Sequence, residues 1–94
     1  MSGGASATLA LKVVTPHRLL VEAEVTGVNL PGLDGELGIL PGHRPLVAAL
    51  GRGALTYRLA GREETWIVHG GHAEIRSGSV LVFTDLAGDE EDRG

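Results

Sequence analysis

The sequence has no cysteine. Disulfides, thiolate nucleophiles and cysteine-based zinc sites are therefore excluded, and the absence suits a cytosolic chain. Aromatic residues are nearly as scarce, limited to Tyr57, Trp66 and Phe83. The core must be aliphatic, and three rings are too few for a platform that stacks nucleobases. All three read as core or core-rim residues. Lysine occurs once, as Lys12 inside a strand-like segment. A lipoyl or biotin carrier needs a lysine at a hairpin turn, so that class is excluded. No apolar run approaches the ~20 residues of a membrane-spanning helix. Residues 1–7 are small and polar and do not read as a signal peptide. Basic charge is not concentrated anywhere. Up to Thr84 the acids Glu22, Glu24, Asp34, Glu36, Glu63, Glu64 and Glu74 are matched by Lys12, Arg18, Arg44, Arg52, Arg58, Arg62 and Arg76. The net charge of −4 comes from the residues after Thr84. With no basic stripe to neutralise phosphates, nucleic acid is not an expected partner.

What is present is aliphatic residue and turn-former. At 94 residues and 43% hydrophobic, the chain suits one domain with one modest core. Leu9, Leu11 and Val13 alternate with polar or small neighbours, as do Leu55, Tyr57 and Leu59, and Ala73 with Ile75. This period of two predicts half-buried strands. Residues 19–28 read as one or two strands, and residues 80–83 close the set. Residues 46–50 read as a short apolar piece, strand or single helical turn. Leu9, Leu11, Val13, Val28, Leu55, Val80 and Val82 are the expected core. Gly51-Arg52-Gly53, Ala60-Gly61-Arg62 and Ser77-Gly78-Ser79 have the glycines that hairpin turns require. Fifteen glycines and four prolines leave no room for a long helix. The expected fold is all-β, with short strands arranged as a sandwich or barrel. Residues 1–7 are expected to be flexible, and residues 87–94, with four consecutive acids, disordered.

Three places could carry function. Asp34, Gly35 and Glu36 lie between Pro31-Gly32 and Pro41-Gly42. They read as a rigid acidic docking loop or as an ordinary solvated turn. The spacing of Gly32, Gly35 and Gly38 lacks the Lys and Ser/Thr of a phosphate loop, and two carboxylates would repel phosphate. His43 follows Pro41-Gly42 and could pair with Asp34 or Glu36 as an acid–base couple, but nothing in the sequence supplies a nucleophile or an oxyanion site beside it. His69 and His72 flank Gly70-Gly71. His72 and Glu74 share a strand face as a metal pair would, but two ligands do not make a site. A bulge or tight hairpin at Gly70-Gly71 is the preferred reading. The alternative function is a small β-barrel enzyme or metal protein using His43, His69 or His72.

The run from Val28-Asn29-Leu30-Pro31-Gly32 through Asp34-Gly35-Glu36-Leu37-Gly38 to Pro41-Gly42-His43-Arg44-Pro45-Leu46 resembles the signature of the epsilon subunit of F-type ATP synthases. In that family a Pro-Gly turn, a Gly-Glu/Asp-Leu-Gly segment and Pro-Gly-His-x-Pro-Leu follow in this order. Leu11-Lys12-Val13-Val14-Thr15-Pro16 resembles the family's first strand. Gly70-Gly71 with residues 80–83 resembles its closing hairpin. The resemblance implies a flattened β-sandwich or barrel of about ten short strands spanning residues 8–86, and a non-catalytic central-stalk subunit without a cofactor. Its implied partners are the gamma subunit, the c-ring and, indirectly, the alpha/beta assembly. The membrane, at the cytoplasmic face of a bacterial-type cell, would be reached only through the complex. Asp34, Gly35, Glu36 and His43 are its implied c-ring contacts. The family usually continues into a C-terminal helical hairpin that can inhibit ATP hydrolysis and in some members binds ATP. The sequence stops at Gly94, so neither property is expected here. His69 and His72 also depart from the family, which usually has a small and an apolar residue beside the two glycines.

Overall fold

The computed structural model describes residues 8–85, and every regular element among them is a β-strand. The expectations for residues 1–7 and 87–94 lie outside the described residues. The strands are β1 (Leu9–Val14), β2 (Leu19–Val25), β3 (Gly27–Gly32), β4 (Gly35–Ile39), β5 (Leu46–Leu59), β6 (Arg62–Arg76) and β7 (Ser79–Thr84). They form one sheet in the order β2-β1-β7-β6-β5-β3-β4. The β1–β7 pair is parallel and the other neighbours are antiparallel.

The all-β class is as expected, but seven strands stand where about ten short ones were predicted. The difference lies in β5 and β6, which are 14 and 15 residues long. Gly51-Arg52-Gly53 is not a turn, and Gly70-Gly71 is not a hairpin, because both lie inside strands. Residues 46–50 extend β5 and form no helical turn. These glycines bend the long hairpin. Pairing runs through them in constant register, from Leu50↔Gly71 to Arg52↔His69. Yet the inward positions change parity on both strands. Leu50 is buried before the bend and Leu55 and Tyr57 after it, as are Val68 and then Ala73 and Ile75. One half of the hairpin pairs with β7 and the other with β3, so it belongs to both layers. The junction from β2 to β3 crosses the layers through Thr26, whose N–H donates to Arg58 O at 2.9 Å. β2 packs back against β5 and closes the sandwich.

The core draws on every strand. Leu9, Leu11, Val13, Val28, Leu55, Val80 and Val82 are all buried, as their alternation predicts. Tyr57 is also buried, Trp66 packs at the core edge, and Phe83 is exposed.

The turn joining β5 to β6 has φ +51 at Ala60 and φ +83 at Gly61. Two consecutive positive φ values are those of a type I′ hairpin, which favours Asn-Gly. An alanine is strained there by its Cβ, whereas asparagine tolerates the conformation. Ala60→Asn is therefore expected to stabilise the domain by about 0.5–1 kcal/mol, read as a higher urea midpoint at unchanged slope.

Candidate functional site

The residues singled out in the sequence fall at two places on the sandwich. The first is the β3–β4 hairpin and the chain that follows it. Leu33 and Asp34 form the turn, and Gly35 and Glu36 begin β4. Gly35 has φ +132, a conformation that L side chains rarely adopt. Leu33 N–H donates to Ala49 O at 3.0 Å, which ties the turn to β5. A groove of about 400 Å3 runs between this hairpin and the start of β5, lined by Leu33, Asp34, Glu36, Leu46 and Val47 among others.

This end is apolar as well as acidic. Leu33 is 68% exposed and Val47 is 70% exposed, with Leu46 also at the surface. Large aliphatic residues exposed beside one another in an otherwise well-buried small domain mark a contact surface. Hydropathy alone does not find them, because an exposed Leu and a buried Leu look alike in sequence. The sequence reading assigned the acids here and missed the aliphatic residues that surround them.

Glu36 is not free on this surface. Asn29 Nδ2 donates to Glu36 Oε2 at 3.4 Å, and Arg58 Nη1 donates to Asn29 Oδ1 at 3.3 Å. Arg58 also lies 4.0 Å from Glu63 Oε2. Neither Asn29 nor Arg58 was a candidate from sequence, although the alternation places Asn29 on the outer face between Val28 and Leu30.

His43 is half-buried in the loop joining β4 to β5. Its Nδ1 lies 2.8 Å from the Arg44 carbonyl, and its N–H donates to Leu40 O at 3.1 Å. Gly42 N–H reaches Ser77 O on the β6–β7 turn at 3.2 Å. Among the described residues, His43 is bonded to backbone and not to Asp34 or Glu36. It therefore forms no acid–base couple with them.

The second place is the bend of β6. His72 stacks on Phe83 with ring centroids 4.7 Å apart, and its Nε2 lies 3.9 Å from Glu74 Oε2. The pair predicted from strand spacing does come together. Among the described residues, however, no group of three His, Asp or Glu side chains could hold a metal. His69 lies opposite Arg52 across the β5–β6 ladder. Among the described residues, the histidines therefore do not assemble a metal site.

Comparison with known proteins bears on this arrangement. The sequence model of the family described as ATP synthase, Delta/Epsilon chain, beta-sandwich domain, matches residues 8–89. The ATP synthase epsilon chain of Solibacter usitatus is 48% identical over 80 residues, which cover 85% of this chain and 60% of that one. That of Nitratidesulfovibrio vulgaris (strain DSM 19637 / Miyazaki F) is 41% identical over 85 residues, 90% of this chain and 63% of the relative. The chain thus spans about 60% of the length of such curated relatives. Among solved structures, a chain of the Euglena gracilis mitochondrial ATP synthase, determined as an OSCP/F1/c-ring assembly, superposes with a TM-score of 0.78 at 26% identity. The match covers 83% of this chain and 51% of that chain. A chain of the Tetrahymena thermophila mitochondrial ATP synthase central stalk and c-ring has the same fold, with a TM-score of 0.68 at 12% identity over 81% of this chain and 62% of that one.

Proposed function

The chain belongs to the family of the ATP synthase delta/epsilon β-sandwich domain, and we propose that it is a non-catalytic rotor subunit of an F-type ATP synthase. In this reading it links the gamma subunit to the c-ring and couples proton transport to ATP synthesis. It meets the alpha/beta assembly only indirectly and the membrane only through the complex, at the cytoplasmic face of a bacterial-type cell. Asp34, Gly35, Glu36 and His43 are its proposed c-ring contacts.

The observation that carries the reading is the exposed end of the sandwich, where Leu33, Leu46 and Val47 flank Asp34 and Glu36. An apolar centre with a charged rim is the usual anatomy of a protein contact. A two-residue turn between paired strands holds the surface in shape, so little freedom is lost on docking. The c-ring presents polar loops, and two carboxylates suit amide and basic groups there.

The test is complementation. Membranes lacking their own epsilon subunit are supplied with this chain, and ATP-driven proton pumping is followed in inverted vesicles. Restored pumping, with the chain co-purifying with gamma and the c-ring, is the expected result. A folded chain that binds neither partner, and restores no pumping, would remove the reading.

A further inference from the structure

The face of the sheet that carries Glu36 has a feature running across four strands. Strand registers place six residues on one side. Glu63 of β6 stands opposite Arg58 of β5, and Arg58 opposite Gly27 of β3. Asn29 lies two residues along β3 from Gly27, on the same face, opposite Gly38 of β4. Glu36 lies two residues along β4 from Gly38, again on the same face. The other side of these strands is the buried one, with Val28, Leu30, Ile39 and Tyr57. The polar residues are therefore consecutive neighbours on the outer surface, directly opposite or diagonal to each other.

Their bonds follow that order. Glu63 accompanies the Arg58 guanidinium, Arg58 donates to Asn29 Oδ1, and Asn29 Nδ2 donates to Glu36. Arginine only donates, so it takes the oxygen end of the Asn29 amide. The amide then has only its NH2 end to turn towards Glu36, where a carboxylate only accepts. Arg58 thus orients Asn29, and Asn29 orients Glu36.

One glycine keeps the path open. A Cβ at Gly27 would overlap the Arg58 guanidinium, which lies across β3 at that point. Gly27 does not have positive φ, so what it contributes is space, not backbone conformation. At Gly38 a Cβ would lie 3.7 Å from Asn29 Nδ2, an ordinary contact that leaves the amide where it is.

From this arrangement we infer that Asn29 and Arg58 are positioning residues. They hold the Glu36 carboxylate in one orientation on an edge strand, ready for the polar partner surface it meets. Glu36 is exposed and has three rotatable side-chain bonds, so a free carboxylate would lose much of its freedom on docking. A carboxylate already held by Asn29 loses less, and it keeps oxygen lone pairs for the partner. The inference rests on the proposed docking role of Glu36, and it adds what makes that residue competent.

Two measurements on the full chain test it. The first is NMR of the three-bond couplings across Glu36 χ1. One rotamer is expected to dominate in the native chain and to average in Asn29→Ala and in Arg58→Gln. Averaged couplings in the native chain would overturn the positioning. The second is pumping per ATP hydrolysed in vesicles carrying the complete enzyme. Asn29→Ala is expected to lower it about three-fold, the scale of one exposed charge-assisted hydrogen bond. Glu36→Gln should lower it at least as much. The double variant should do no worse than Glu36→Gln alone, because Asn29 acts through Glu36. Losses that multiply would give Asn29 an independent role and overturn the inference. So would full pumping in Asn29→Ala beside a loss in Glu36→Gln. Full pumping in both would overturn the docking reading as well. Asn29→Thr, which keeps strand propensity without the reach of the amide, should behave as Asn29→Ala. If it alone pumps normally, the defect of Asn29→Ala is one of folding and the inference falls.

Discussion

Gly71→Ala is expected to destabilise the domain by about 3 kcal/mol, which for a domain of this size lowers the melting midpoint by roughly 12–24 °C. Two effects act together. Gly71 has φ +117, where an L side chain is strained whatever the space around it. The added Cβ would also overlap the Phe83 carbonyl oxygen and lie 2.8 Å from Thr84 Cα. Those atoms are the backbone of β7, paired to Gly71 in the ladder, and they have no rotamer by which to move aside. The neighbourhood is also tied from the side. Buried Thr84 donates its hydroxyl to Gly70 O at 2.7 Å, and His69 N–H donates to Asp85 O at 3.1 Å. Gly61→Ala is the control. Gly61 has φ +83 but nothing within 4 Å of a new Cβ, so it isolates the backbone cost at about 1 kcal/mol. Thermal unfolding followed by circular dichroism compares the two. Equal losses in the two variants would mean that the close approach of β6 and β7 is not made in the folded protein.

The same bend explains what the sequence did and did not disclose. Leu9, Leu11 and Val13 alternate because β1 buries one face, so a period of two identified them directly. β5 and β6 alternate too, but their inward parity changes at the bend, and glycine at that point reads as the end of a strand. Two long strands were therefore counted as several short ones. Ala60-Gly61 and Ser77-Gly78 were recognisable as turns because each joins strands that pair locally. The parallel pairing of β1 with β7 brings Ala10 to Ser79, and no local pattern announces a contact so distant in the chain.

The candidate site was legible to the same extent. Pro31-Gly32 and Pro41-Gly42 bracket the acids, which read as a loop or turn, but only Asp34 lies in the turn while Gly35 and Glu36 begin β4. The apolar half was not legible, since Val47 sits in a run that hydropathy assigns to the core and becomes exposed only when β5 extends past the β3–β4 turn. Asn29 and Arg58 required register. They are 29 residues apart, and only the pairing of β3 with β5 makes them neighbours. His43 and the two carboxylates looked like one cluster in sequence, but backbone bonds claim His43.

Reversing the charge at the tip of the β3–β4 hairpin is expected to uncouple the motor without unfolding the domain. Asp34 and Glu36 are exposed, and their surroundings in the free chain are solvent, the Asn29 amide and the edge of an apolar groove. Lysine at either position buries no charge and meets no backbone, so the folded chain should lose at most about 0.5 kcal/mol, as at other surface sites. In the proposed assembly, binding to gamma should persist, because exposed rim charges contribute little to affinity. In the proposed docking, the polar loops of the c-ring would then face ammonium groups in place of carboxylates. Each reversal removes an attraction of ~1 kcal/mol at a contact rim and adds repulsion of similar size, a loss of roughly ten-fold or more in the occupancy of the correct register. Because such charges set register more than strength, ATP hydrolysis should continue while protons pumped per ATP fall. The double variant Asp34→Lys with Glu36→Lys should fall furthest, and high salt should narrow the differences. The measurement is ATP-driven proton pumping against hydrolysis in inverted membrane vesicles, with thermal unfolding and gamma co-purification as controls. Unchanged pumping per ATP in both single variants and in the double variant would show that this hairpin is not the coupling contact. The exposed Leu33, Leu46 and Val47 beside it would then have to serve a different partner.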